Sequence, residues 1–123
     1  MNDGTGQALT ATARNTPVGP VLEFAGELEL GNTPVLRVAL HRALTTIPAP
    51  PVLVVDLAGV TFCDCTGVNI LLQARIDAER RGTALHLARP TRIVARILEV
   101  TGTDQVIPVD RGDPAAALSI PAG

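Results

Sequence analysis

The stretch Phe62–Val68, FCDCTGV, carries the only two cysteines of the chain on either side of an aspartate, directly ahead of a Thr-Gly pair that opens an apolar periodic segment. Residues of these types at this spacing could form a metal clip, a redox pair, a nucleophile or a helix start that a partner reads. A zinc site needs four convergent ligands, whereas Cys63 and Cys65 are joined only by the scattered histidines His41 and His86, so no metal is expected. A disulfide inside Cys-x-Cys is awkward, because two positions one residue apart in extended chain lie near the upper Cα distance limit. A catalytic thiol requires a base in reach. His86 falls mid-strand and His41 falls on the polar side of a helix, so no catalytic residue is assigned.

The two thiols differ in setting. Cys63 follows Phe62 in an apolar approach to the helix, where a small buried hydrophobe is the expected role. Cys65 falls in the first helical turn, with Asp64 placed to cap the free amides. The helix dipole favours a negative group there and the neighbouring Asp64 opposes one.

The elements that position this stretch follow from periodicity. VLEFAGEL (21–28) reads as a strand with Leu22 and Phe24 on one face and Glu23 on the other. Thr33 and Pro34 supply a cap and a first-turn proline for a helix whose apolar side is Leu36, Leu40, Ala43 and Leu44. IPAPP (47–51) stops it. VLVV (52–55) is an unbroken apolar run between Pro51 and Asp56, the pattern of a strand buried on both faces. A second helix runs from about Gly67, with Val68, Leu71, Leu72 and Ile76 on its stripe and Gly82 as its stop. TALHLA (83–88) alternates as a strand, Pro90 and Thr91 open a third helix bearing Ile93, Val94, Ile97, Leu98 and Val100, and QVIPV (105–109) reads as a last strand. A further strand around Ala8–Ala13 pairs as a hairpin with 21–28 through TPVGP.

This order, β-α-β-α-β-α-β, predicts parallel crossovers on one sheet. The expected architecture is a single α/β domain over residues 1–110, a mixed, mostly parallel sheet of four to five strands with three to four helices mainly on one face. About the first seven residues are expected to be flexible, and 111–123 to form a tail with a short helix or to fray. The chain has 123 residues, enough for one core and too few for two ordinary domains. Its 46% hydrophobic and 18% charged residues suit a folded soluble protein. A net charge of -2 leaves no basic footprint for nucleic acid. All ten basic residues are arginine, which removes Schiff-base chemistry on lysine. Residues 1–20 lack the basic and apolar regions of a secretory signal, and no apolar run is long enough to span a bilayer, so a cytoplasmic location without membrane contact is expected. Arg111-Gly112-Asp113 is an incidental tripeptide in such a location.

FCDCTGV resembles the Asp-Ser-Ser/Thr-Gly-Leu signature of STAS domains, in particular the bacterial anti-sigma factor antagonists. AGELELGNTPVL (25–36) resembles the family's Gly-Glu-Leu-Asp segment and helix start, VVDLAGVTF (54–62) its strand and connection, and IVARILEVTGTDQVI (93–107) its last helix and strand. Together these cover roughly residues 8 to 110 in matching order.

The resemblance implies a STAS fold, no enzyme activity, no cofactor, and an anti-sigma factor of the serine/threonine kinase type as partner. Release of a sigma factor would then regulate transcription. It implies a phosphoacceptor serine at the position held here by Cys65, with Thr66 as the possible substitute acceptor, and a partner surface of Glu27, Glu29, Thr33, Asp64, Cys65, Thr66, Gly67 and Val68. Because a thiol does not take the kinase's phosphate in the ordinary way, control by phosphate is absent or moved to Thr66. Two other readings are a redox sensor using Cys65 and, less favoured, a thiol-dependent enzyme. A monomer or weak dimer is expected.

Overall fold

The computed structural model describes residues 8–17, 19–112 and 114. Strand β1 (Thr10–Thr16) turns directly into β2 (Gly19–Leu28), which leads through a 3-10 turn (Leu30–Asn32) into helix α1 (Thr33–Leu44). Strand β3 (Val52–Cys63), helix α2 (Cys65–Arg80), strand β4 (Ala84–Ala88), helix α3 (Arg92–Val100) and the short strand β5 (Val109–Asp110) follow. The spatial order is β1-β2-β3-β4-β5, with β1 antiparallel to β2 and every other pair parallel. Three successive crossovers therefore move one place in the same direction across the sheet. A right-handed connection each time carries its helix over the same face.

That face holds the core. Leu22, Phe24 and Leu28 of β2 and Leu53, Val55 and Leu57 of β3 meet Leu36, Leu40 and Leu44 of α1, Val68, Leu71 and Ala78 of α2, and Val94 and Leu98 of α3. Burial of each Val, Leu or Phe among these contributes about 1.5–3 kcal/mol relative to exposure, before the entropy of ordering is set against it. Alternation sends Val21, Val54 and Ala88 to the opposite face, where they form a small separate cluster. No helix among the described residues is long and apolar enough to cross a membrane.

The expected elements are present, with shifted edges. The hairpin of β1 and β2 pairs Thr10 with Ala25 through Thr16 with Gly19. Strand β3 does not end at Asp56 but continues to Cys63. Asp56 stays inside the strand at 3% exposure because Arg89 Nη2 donates to Oδ2 at 2.6 Å and the Ala58 amide donates to Oδ1 at 3.1 Å. A polar group in that position is tolerated when paired. Thr33 is not the cap of α1: Asn32 holds the N-cap position, and the Thr33 hydroxyl donates to the Leu30 carbonyl at 3.2 Å. The segment 105–109 is mostly turn, and only Val109–Asp110 pairs with β4.

Two helical stripes are narrower than their periodicity. Ile76 is 49% exposed while Ile70 and Ala74 face inward, and Ile93 and Val100 are 56% and 69% exposed while Val94 and Leu98 carry α3. The expected flexible start and most of the expected C-terminal tail lie outside the described residues.

Candidate functional site

The site lies at the C-terminal ends of β2 and β3, which finish side by side with Leu28 opposite Cys63. Open parallel sheets place ligands and partners at this end, where each strand hands over to a loop or a helix N-terminus. Here β2 delivers the 29–32 turn, and β3 delivers Asp64 and the start of α2.

Asp64 joins the two segments. Its amide donates to the Leu28 carbonyl at 3.0 Å, which fixes the turn against the end of β2. As the N-cap of α2 its Oδ1 accepts the Gly67 amide at 3.0 Å and the Thr66 hydroxyl at 2.5 Å. Partial burial acts to raise the pKa of this carboxyl. Hydrogen bonds from the Thr66 hydroxyl and from the amides of Gly67, Leu30 and Thr66 outweigh it and hold the group below its ordinary value. The backbone bond to Leu28 and the capping bonds to α2 thus let one residue join the end of β2 to the start of α2.

The turn is held from its other side by Asn32, whose Nδ2 donates to the Glu27 carbonyl at 2.8 Å and whose amide donates to the Glu29 carbonyl at 2.9 Å. Gly67 lets α2 approach closely. A Cβ there would sit 2.9 Å from the Leu28 carbonyl oxygen, 3.0 Å from Leu28 Cβ and 3.1 Å from Cys63 Sγ. The glycine is thus required by contact with β2 and not by its backbone angles.

The two thiols separate as their positions in sequence lead one to expect. Cys63 is buried, and burial, with the adjacent Asp64 charge and then Cys65 adding to it, pushes its thiol up to about 12. Cys65 is exposed as the first residue of α2. Thr66 is half-buried, and its hydroxyl is turned back to Asp64.

Of the other residues expected on the partner surface, Glu27, Glu29, Thr33 and Asp64 are half-buried around the same corner. Val68 is a correction. At 3% exposure it points into the core, where it anchors α2, so it cannot meet a partner directly. Gly67 is buried as well and serves the packing just described.

Two apolar residues at this corner were not singled out by sequence. Leu30 is 69% exposed on the turn and Phe62 is 43% exposed near the end of β3. The signal for Phe62 was available: once Cys63 is placed in the core, alternation sends its neighbour to the other face. Leu30 had none, because its exposure depends on the path that the Leu30–Asn32 turn takes between β2 and α1.

The model of the Mlab, STAS domain family matches residues 11–108. The chain is 31% identical over 102 residues to the anti-sigma-F factor antagonist RsfA of Mycobacterium tuberculosis, covering 83% of this chain and 80% of that protein. That relative is named for a regulatory role and not for a reaction. A crystal structure of an anti-sigma factor antagonist from Mycobacterium paratuberculosis superposes with a TM-score of 0.81 at 22% identity, covering 92% of this chain and 96% of the other. The antagonist SpoIIAA in its unphosphorylated form has the same fold at a TM-score of 0.66 and 17% identity, covering 92% of this chain and 100% of the other. A structure of SpoIIAA in its phosphorylated form is also similar, at a TM-score of 0.62 and 18% identity over 88% of this chain and 96% of the other. The sequence match over most of the chain, the five-stranded mixed sheet with three helices on one face, and the Asp-capped helix start at its edge place the chain in the STAS domain family.

Proposed function

We propose that this protein is an anti-sigma factor antagonist acting in the cytoplasm, and that it binds an anti-sigma factor of the serine/threonine kinase type and so frees a sigma factor. The binding surface is the corner formed by Asp64–Gly67 and the Glu27–Thr33 segment, with the exposed side chains of Leu30 and Phe62 as apolar contacts beside an acidic rim. The observation that carries this reading is Asp64, whose carboxylate bonds to the start of α2 while its amide bonds to the Leu28 carbonyl at the end of β2. It makes two loops one preorganised surface, and preorganisation lowers the ordering cost of docking.

Cys65 stands where the resemblance places the phosphoacceptor serine. Sulfur and oxygen differ little in shape, so the thiol keeps the form of an unphosphorylated serine while declining the phosphate. Thr66 is a poor substitute, since its hydroxyl is engaged with Asp64 at 2.5 Å and a phosphate there would bring about -1.5 to -2 charges against that carboxylate. On this basis the antagonist stays in its binding state. The test is a pull-down with the wild-type protein against the kinase-type anti-sigma factors of its source organism, with and without ATP. Capture that ATP does not reverse is expected, and failure to capture any of them would remove the reading.

A second reading rests on the exposure of Cys65. Oxidation of that thiol by a peroxide would add a polar or charged group at the place where a phosphoserine would stand. Partner binding before and after mild peroxide treatment separates the two readings.

A further inference from the structure

We propose, resting on the reading of the corner as the partner surface, that the groove between α1 and α2 is a second contact area for the anti-sigma factor and takes an acidic segment of it. Helices α1 and α2 both start at the corner, at Thr33 and Cys65, and both run away from it as crossovers of parallel strands. They pack against each other. Between them lies a groove of about 480 Å3 that opens beside the corner, with Arg37 in the second turn of α1 and Ile70 in the second turn of α2 among its lining residues.

The floor and the rim of the groove differ. Leu40, Leu44, Ile70 and Ala74 close the floor and are all buried, so an apolar occupant would gain little surface there. The exposed polar groups on the α1 side are Arg37, His41 and Arg42. Among the described residues neither guanidinium has an ion-pair partner. The carboxylate that lines the groove, Asp77, is held by Arg81 at 3.1 Å, one turn on along its own helix. A chain of net charge -2 thus gathers uncompensated positive charge in this groove.

The spacing of these charges selects the occupant. Arg37 and Arg42 are five residues apart, about 7.5 Å along the helix axis, so two separated carboxylates match them better than one compact anion. Side chains on one face repeat at about 7 Å in an extended peptide and at about 6 Å per four residues in a helix, so acids two residues or one turn apart on a partner segment reach both. His41 stands one turn after Arg37 and adds a hydrogen-bond donor between them. The corner, by contrast, carries Glu27, Glu29 and Asp64. A partner that docks along both meets acid at the strand ends and base in the groove, and this polarity fixes its orientation and rejects a surface with the opposite order of charges.

The chain contains no lysine, which makes a specific test available. Arg37→Lys and Arg42→Lys keep the charge and each introduce the chain's only side-chain amine, which a carbodiimide couples to a carboxylate in contact with it. In the complex with the captured kinase-type anti-sigma factor, peptide mapping should place both cross-links on Asp or Glu of one partner segment. By calorimetry, Arg37→Glu/Arg42→Glu should bind that partner about tenfold more weakly than wild type, with the loss shrinking as salt is raised. Cross-links that are absent or scattered over the partner, or a double variant that binds within about twofold of wild type, would overturn the proposal, and a loss of affinity in Glu29→Lys would then leave the reading of the corner standing. A wild-type chain that captures no such partner would overturn both. Circular dichroism verifies that the double variant keeps its fold.

Discussion

The Thr66 hydroxyl donates to Asp64 Oδ1 at 2.5 Å, while the thiol of Cys65 beside it is exposed at the first position of α2. The hydroxyl next to the position that the resemblance assigns to a phosphoacceptor is thus turned inward, and the group that faces outward is sulfur. Incubation with a cognate kinase and ATP should leave the wild-type chain unlabelled. Cys65→Ser should take phosphate at position 65, located by intact mass and fragmentation. Stable phosphate on Thr66 of the wild-type chain would contradict the assignment.

The separation of the two thiols gives a chemical check on the same corner. Cys63 is held protonated by burial, with a pKa of about 12, whereas Cys65 is open to solvent. Iodoacetamide near neutral pH should therefore modify Cys65 alone in the folded protein. Cys63 should react only once the chain is unfolded in denaturant, as peptide mapping would show.

Asp64 also has a measurable effect on stability. Loss of a side-chain N-cap costs about 0.5–2 kcal/mol, so Asp64→Ala should lower the urea midpoint accordingly. The pH dependence has a definite sign. The folded-state pKa of Asp64 is depressed, so its contribution is complete above the ordinary carboxylate value of about 4 and is lost as pH falls through the lower folded-state value. The difference in stability between wild type and Asp64→Ala should hold from neutral pH down to mildly acid conditions and shrink below that.

Close packing beneath the site predicts the effect of a single methyl group. Gly67→Ala brings a Cβ to 2.9 Å from the Leu28 carbonyl oxygen and 3.1 Å from Cys63 Sγ. Backbone on one side and the core thiol on the other leave little room to yield, and overpacking of this kind costs about 1–3 kcal/mol. Gly82→Ala tests a different origin, since that glycine has open space around it but a φ of +78°. It should cost about 1 kcal/mol through backbone strain alone. Both are read from urea unfolding.

Much of this arrangement was legible because the signals are local. The cap at Asp64, the helix start at Cys65, the glycine stop at Gly82 and the alternation of 83–88 are each set within a few residues, and each stands where periodicity and capping place it. What was not legible depends on distant partners. Asp56 read as the end of a strand, since nothing near it announces Arg89, 33 residues on, as its ion-pair partner. Thr33 read as a cap because Thr-Pro is a strong start signal, but the 3-10 turn before it shifts the cap to Asn32. Ile93 and Val100 read as core because their spacing is helical, yet α3 packs along a narrow line of Val94 and Leu98, with Ile97 partly buried beside it, and leaves the flank that carries Ile93 and Val100 to solvent.

Titration calorimetry of the wild-type chain and of Glu29→Lys, Asp64→Ala and Arg80→Ala with the captured kinase-type anti-sigma factor measures most directly whether the corner between α2 and the 29–33 segment is the binding surface. Glu29 and Asp64 lie at that corner, and Arg80 lies at the opposite end of α2 as its last residue. Glu29→Lys and Asp64→Ala should each weaken binding about tenfold or more, equivalent to roughly 1.4 kcal/mol, while Arg80→Ala should leave the affinity within about twofold. Equal losses from all three substitutions, or no loss from the first two, would contradict that placement.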